Sequence, residues 1–522
     1  MVRPAIAALL VALGAGAQMA LGAGAQMAPP TADAAPTSQP GAALQPCRLA
    51  GVAQPALCGQ LQRPLDPARP LGPLIDLHYA VLPALARHKA ADPVFFFAGG
   101  PGQSAIALAG AFQARFARLG QRRDLVFIDQ RGTGLSAPLR CEDDLAQARR
   151  RPLAESVKLA ELVDAATRLA RLQRCRLALQ ALPHGDLRFY TTDIAVADVD
   201  AVRLALGAAQ INVIGVSYGT RLVLALLRQH PASVRRAVLD GVLPPDRPFT
   251  DAAARDQQAV LDALWTACAA DPVCQQRQPA PAAQLQQLLA SLPLRVTLPQ
   301  PLSGQPEALT LDRDAVLGLL RAPLYQPALA AALPAVLAEA HAGRWAPLLA
   351  LANPLGGAPA SAIATGMHYA VVCNEDLGRA GPSPPPASSP ASGDSIFGDA
   401  LARQYQQACA GWPRAAVAPA FYSLPPTPVP TWLLSGGLDP VTPPQHAQRV
   451  ALALGPQAQH TVVAQAGHGV TALGCLADAV SRFISTDPVA SPPAGVDCAR
   501  AVPRPPAWWP PGWRPPGLGA TP

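Results

Sequence analysis

Three side chains in this sequence have types and settings that together could transfer an acyl group. Ser217 lies at the centre of Gly215-Val216-Ser217-Tyr218-Gly219. Asp439 lies in Ser435-Gly436-Gly437-Leu438-Asp439-Pro440, and His468 in Ala466-Gly467-His468-Gly469. A serine hydroxyl is a weak nucleophile until a base takes its proton, and the base needs an acid to hold its ring in the working tautomer. The chain order serine, acid, histidine is one of the orders in which such a triad occurs. Each segment alone also describes an ordinary turn. His446 and His460 are the nearest rivals for the base but lack a glycine-flanked loop.

The elements that must hold these residues can be read from the surrounding pattern. An apolar, β-branched run (Ile211 to Ile214) enters the glycine-flanked serine, and a helical apolar pattern (Leu222, Val223, Ala225, Leu226) leaves it. That is strand, tight turn and helix, with small residues where strand and helix approach closely. Asp439 follows the strand-like Trp432 to Leu434, and His468 follows Val462-Val463. Both therefore fall at carboxyl ends of strands, where open parallel sheets place their sites. An attacked carbonyl also needs donors aimed at its developing oxyanion. Tyr218 N–H, next to the serine, is one. Gly99-Gly100-Pro101-Gly102, after the apolar Val94-Phe95-Phe96-Phe97, offers a second, with Gly100 N–H favoured.

Further strands are expected at Ile75 to Leu82, Leu125 to Ile128, Ala237 to Leu239, Thr431 to Ser435 and His460 to Val463. Helical patterns lie between them, at about Leu153 to Leu182 and Asp193 to Leu206. This alternation calls for an α/β fold with a mostly parallel sheet covered on both faces. It pauses from residue 248 to 428, a stretch rich in helical patterns with a Pro/Ser-rich loop at Gly381 to Asp394, which reads as an inserted cap. The expected organisation is a leader at 1–28, a Pro/Ala-rich and disulfide-closed segment at 29–70, and a core at 71–247 and 429–500 interrupted by the cap. A Pro/Trp-rich tail follows at 501–522, expected to be loosely docked or disordered.

Composition narrows the class. Half of the 522 residues are apolar, which suits a globular chain. The net charge of +7 comes from scattered arginines, without the basic stripe and interleaved aromatics of a nucleic-acid binder. The first residues combine one arginine, a short apolar run and A-x-A sites at Ala15-Ala17 and Ala23-Ala25, the pattern of a secretory signal peptide. The segment ALGAGAQM occurs there twice in tandem, and no cysteine precedes Cys47. Nothing later is long and apolar enough to span a bilayer. Ten cysteines in an exported chain suggest disulfides, and proximity pairs Cys47–Cys58, Cys141–Cys175, Cys268–Cys274, Cys373–Cys409 and Cys475–Cys498. None has the C-x-x-C spacing of a zinc site, and acyl transfer by a serine, histidine and acid requires neither a metal nor an organic cofactor.

Five motifs in order, FAGGPGQS, DQRGTGLS, GVSYGT, LSGGLDPVTP and AGHG, resemble those of the secreted prolyl-aminopeptidase and tripeptidyl-aminopeptidase family of α/β-hydrolase serine peptidases. The resemblance covers Ala91 to Leu243 and Thr427 to Val480. It implies an α/β-hydrolase fold with an inserted helical cap, Ser217 as nucleophile, Asp439 as acid and His468 as base. Ala98 stands where prolyl-specific members often have histidine, so the chain looks more like the tripeptidyl branch. Asp129 and Arg131, in the second motif, are expected to brace loops. The resemblance further implies that acids of the cap receive the substrate ammonium, which makes Glu375 and Asp376, beside Cys373, candidate binders. Peptides are the implied substrates. A carboxylesterase using the same triad is the alternative enzyme, and a hydrolase-like binding protein the alternative of another class.

Overall fold

The computed structural model describes residues 44–141, 159, 163–300, 303–352, 363–378, 395–487 and 496–510. The expected signal peptide, the Pro/Ser-rich loop and the last twelve residues of the tail lie outside them, as does most of the first part of the Leu153–Leu182 helical pattern; its described part is the helix Ala165–Gln180.

The main strands are β1 (Gln45–Cys47), β2 (Ala56–Pro64), β3 (Leu74–Leu82), β4 (Val94–Phe97), β5 (Leu125–Ile128), β6 (Ile211–Val216) and β7 (Val234–Asp240). A hairpin, β8 (Leu294–Pro299) and β9 (Pro306–Leu311), precedes β10 (Thr431–Gly436) and β11 (Ala458–Val463). Nine of these form one sheet in the order β1-β2-β3-β5-β4-β6-β7-β10-β11. The pairs β1–β2, β2–β3 and β3–β5 are antiparallel, and the remaining pairs are parallel. The fold is an α/β-hydrolase fold. The sheet starts at Gln45, well ahead of the core start expected at residue 71. Cys47–Cys58 staples its first two strands across neighbouring registers. Polar, glycine-containing ALCGQLQRP gave little apolar run by which to see β2, yet its backbone groups pair with β3 from Leu57 to Pro64.

Burial follows strand position. Every residue of β4, β5 and β10 is buried, because helices cover both faces of the parallel region. Alternate residues serve opposite cores. Phe95 and Phe97 pack with Leu222, Leu226 and Leu433 on one face, while Phe96 packs with Phe112, Phe127, Trp432 and Leu434 on the other. The Phe96 and Phe112 rings lie 4.6 Å apart. Residues between β7 and β10 build a third core around Leu261, Leu311, Leu320, Leu333 and Trp345. It is mostly helical, as the pattern suggested, but includes the β8–β9 hairpin, which the helical reading missed.

All five expected cysteine pairs are formed. The described tail residues make two contacts with the cap. Trp508 N–H donates to Ala331 O at 2.9 Å, and the Arg277 guanidinium lies 5.5 Å from the Trp509 ring centre. Among the described residues, no helix is long and apolar enough to cross a membrane.

Candidate active site

Ser217 stands between β6 and the helix Tyr218–Gln229 with φ 57° and ψ −124°, a left-handed conformation that side chains rarely adopt. The flanking glycines permit it. A Cβ on Gly215 would stand 2.5 Å from Gly219 O, and one on Gly219 would stand 2.2 Å from Phe97 O. The turn is pinned from both sides: Ser217 N–H donates to Asp240 O at 2.8 Å, and the Thr220 hydroxyl donates to Ser217 O at 2.6 Å. The glycine loop after β4 passes alongside, since a Cβ on Gly99 would stand 3.0 Å from Ser217 Cβ. Gly100 follows in that loop, and Tyr218 opens the helix. Among the described residues, neither amide N–H donates to a protein acceptor.

The end of β10 delivers Asp439 and the end of β11 delivers His468. Their side chains meet, with His468 Nδ1 2.7 Å from Asp439 Oδ2. Asp439 is 1 % exposed and fully bonded by its own loop. Val441 N–H and Thr442 N–H each donate to Oδ1 at 2.9 Å, and the Thr442 hydroxyl donates to Oδ2 at 2.6 Å. Burial pushes the Asp439 carboxyl up, but the His468 charge and these hydrogen bonds outweigh it and hold the pKa below the usual carboxylate range. Burial likewise lowers His468, and Asp439, with a smaller push from Asp240, reverses the sign, so its pKa is raised above 6.5. With Nδ1 facing a carboxylate, Nε2 is the nitrogen left to act as base.

His468 borders the turn that pins Ser217, because a Cβ on Gly241 would stand 3.3 Å from His468 Cε1. No Ser217–His468 hydrogen bond is formed; such contacts are commonly long without substrate and tighten on binding. The rival histidines lie elsewhere. His446 has neither ring nitrogen hydrogen-bonded and sits 3.8 Å from Asp256, and His460 meets the Ser435 hydroxyl at 3.0 Å.

Glu375 and Asp376 require a correction. They end the helix Thr365–Val371 in a π-helical turn, Val372–Asp376, and both are buried at 1 % and 4 % exposure. Arg221 of the elbow helix, itself 1 % exposed, grips Asp376 with two nitrogens at 2.9 and 3.0 Å and reaches Glu375 at 3.4 Å. Thr192 N–H and its hydroxyl occupy the two Glu375 oxygens at 2.6 and 2.9 Å. A substrate ammonium would have to displace these partners. The acids instead tie the cap to the elbow helix. Burial, opposed by Arg221, pushes the Glu375 carboxyl up to about 7.

Asp129 and Arg131 brace loops. Asp129 accepts from the Ser104 hydroxyl at 2.6 Å and from Ile106 N–H at 3.1 Å, while Arg131 clamps Asp198 at 2.7 and 3.0 Å. Sequence reasoning missed Asp240. Its carbonyl holds Ser217, and its buried carboxylate accepts Val470 N–H, Thr471 N–H and the Thr471 hydroxyl at 2.8–2.9 Å, two and three residues beyond the base. One residue thus fixes both the turn at Ser217 and the loop that follows His468. An aspartate closing the apolar run Ala237-Val238-Leu239 was the available signal. Tyr325 was also missed: its carbonyl accepts His468 N–H at 2.9 Å, and its ring stands edge-on to the imidazole. Among the described residues, no cluster of ligands could hold a metal ion.

Comparison with known proteins agrees with the fold. Residues 92–316 match the alpha/beta hydrolase fold family, and residues 394–498 match the family described as TAP-like protein. The first contains Ser217, the second Asp439 and His468. The chain is 32 % identical to Serine protease Hip1 of Mycobacterium tuberculosis over 57 % of this chain and 58 % of that one. It is 33 % identical to Tripeptidyl aminopeptidase of Streptomyces coelicolor over 41 % of this chain and 40 % of that one. A shorter segment, 13 % of this chain and 21 % of the relative, is 39 % identical to Proline iminopeptidase of Xylella fastidiosa. The matches thus span only about half the length of the curated relatives. Sheet topology and the two family matches agree on an α/β-hydrolase fold, with a C-terminal segment similar to TAP-like proteins and with serine peptidases among the proteins the chain resembles.

Proposed function

We propose that the protein is an exported serine exopeptidase that hydrolyses peptide bonds near free amino termini through an acyl-enzyme on Ser217. The observation that carries the reading is the Asp439–His468 pair, 2.7 Å apart, delivered by two strand ends to the turn that pins the elbow serine. Ser217 Oγ attacks the carbonyl carbon while His468 Nε2 takes its proton. The imidazolium formed is stabilised by Asp439 and returns the proton to the leaving amine. Gly100 and Tyr218 N–H receive the oxyanion; losing one such donor costs an enzyme about 3 kcal/mol of transition-state stabilisation. A water, deprotonated by His468, then releases the acyl group and restores the serine.

Action at the amino terminus is supported by the similarity to a tripeptidyl aminopeptidase. Export is supported by the leader at 1–28 and by ten cysteines paired in five bridges, which suit an oxidising compartment. The cap, taken as residues 248–428, would close over the elbow and limit how much substrate enters.

The test compares aminoacyl, dipeptidyl and tripeptidyl chromogenic amides, each free or acetylated at its amino terminus, with a short-chain ester. The expected result is cleavage of a free-amino amide, best at the tripeptidyl length, and little turnover of its acetylated twin. Equal cleavage of both would end the exopeptidase reading. Turnover of the ester alone would favour the carboxylesterase.

A further inference from the structure

A cleft between a helix of the 71–247 segment and two helices of the cap gathers three arginines. A cavity of about 100 Å³ lies between the helices Ala165–Gln180, Arg313–Leu324 and Ala400–Cys409 and is lined by Arg168, Arg321, Arg403, Asp314, Gly318 and Tyr369. Arg403 is ion-paired with Asp399 and, at 3.5 Å, with Asp314. Arg168 and Arg321 form no ion pair with a carboxylate among the described residues. Arg321 has only a neutral partner, Gln257 Oε1, at 3.0 Å, and the buried Arg168 Nε has no hydrogen-bond partner. Burial lowers the Arg321 pKa, and the nearby Arg168 cation pushes the same way. The carboxylate lining this cleft, Asp314, is ion-paired with Arg403 rather than with Arg168 or Arg321, and an oxyanion received by the planar N–H forks of those two guanidiniums would offset the cost of holding them together.

We propose that this cleft is an oxyanion-binding site, taking a group of carboxylate or phosphate size between Arg168 and Arg321. Gln404 and Gln407, which also line it, can supply amide donors. The cavity volume suits such a group with a few waters. Gly318 lies one helical turn before Arg321, and a Cβ there would meet nothing within 4 Å, so this wall is open to an occupant.

The oxyanion has two possible sources: a free inorganic anion, or an acidic side chain of a bound peptide. The second rests on the peptidase reading above. It is supported by a chain of contacts from the cavity wall to the candidate oxyanion loop. The Tyr369 and Tyr405 rings are 5.6 Å apart, Tyr405 OH is 2.8 Å from His368 Nε2, and His368 Nδ1 is 3.3 Å from Pro101 O.

The experiment measures the thermal midpoint in inorganic phosphate against sodium chloride of equal ionic strength, for wild type, Arg168→Gln, Arg321→Gln and Gly318→Asp. It also compares kcat/KM for peptide amides that differ only as Glu against Gln. A free-anion site predicts a phosphate-specific rise of about 2 °C in wild type, absent from both glutamine variants. A substrate subsite predicts a Glu-over-Gln preference of about tenfold that both variants abolish. Gly318→Asp places a carboxylate in the cleft. It should raise the midpoint without phosphate and remove either response, and it keeps the test decisive if a glutamine variant fails to fold. Should wild type cleave no peptide amide, the peptidase reading fails while the phosphate arm still decides the site. No phosphate response together with no arginine-dependent Glu preference overturns the proposal, as would variants that respond like wild type.

Discussion

The structure holds two buried carboxylate centres, and they are wired in opposite ways. Asp439 receives two amide N–H groups and a hydroxyl from the next three residues of its own loop, and its remaining partner is an imidazole that can gain or lose a proton. Glu375 and Asp376 receive partners more than 150 positions away, and the cation between them, Arg221, does not titrate in any working range. One centre holds its pKa down and lends its charge to a base; the other has one acid pushed up to about 7 by burial. A buried carboxylate with a titratable partner can steer a proton. One saturated by an arginine can only tie elements together.

The largest effect should come from the first centre. Asp439→Asn can offer an N–H to His468 Nδ1 and so favour the wrong tautomer. In the corresponding substitution of another serine-protease triad, kcat falls about 10⁴-fold. A loss of that order in kcat, with a folded circular-dichroism spectrum, is expected here. A loss under tenfold would remove Asp439 from the proton path.

The second centre should respond in stability. Asp376→Asn leaves the Arg221 charge buried and under-paired, for which about 3–5 kcal/mol is expected in denaturant unfolding. Glu375→Gln should cost less, because its amide can still accept from Thr192 N–H. Neither should raise KM for free-amino substrates more than for N-blocked ones. A selective rise for free-amino substrates would restore these acids as amine receptors.

A smaller effect separates position from charge at the base. Because the His468 pKa is raised, the acid limb of kcat/KM should have its midpoint above 6.5: activity is full above that midpoint and falls as pH drops and the imidazole protonates. Asp240 contributes to the rise, so Asp240→Asn should move the limb toward lower pH, besides lowering kcat by loosening the Val470–Thr471 loop. A change in kcat with an unmoved limb would make Asp240 purely structural.

What the sequence revealed follows the same division. Ser217, Asp439 and His468 sit in short motifs whose neighbours in the chain are also their neighbours in space, so strand, turn and glycine spacing were enough to propose them. The buried strands β4 and β5 are unbroken apolar runs, and β10 has an apolar centre at Trp432-Leu433-Leu434, so all three were equally plain. The hidden features depend on distant pairing. Nothing near Glu375 or Asp376 shows that Arg221 lies against them, although an arginine directly ahead of the apolar run Leu222 to Leu227 was a signal of a buried partner. Asp240 acts through its carbonyl on one loop and its carboxylate on another, which no spacing rule detects. Strand β2 has little apolar pattern because its identity comes from its antiparallel neighbours.

The central claim is that Ser217 is the nucleophile and that its elbow presents it to His468. The direct measurement is labelling by a fluorophosphonate probe of wild type, Ser217→Ala and His468→Ala, with thermal unfolding recorded on each. Wild type should label on Ser217, identified by peptide mapping. Ser217→Ala should unfold at nearly the wild-type temperature and take no label, and His468→Ala should label far more slowly. Equal labelling of wild type and Ser217→Ala, or label mapped to another residue, would contradict the account.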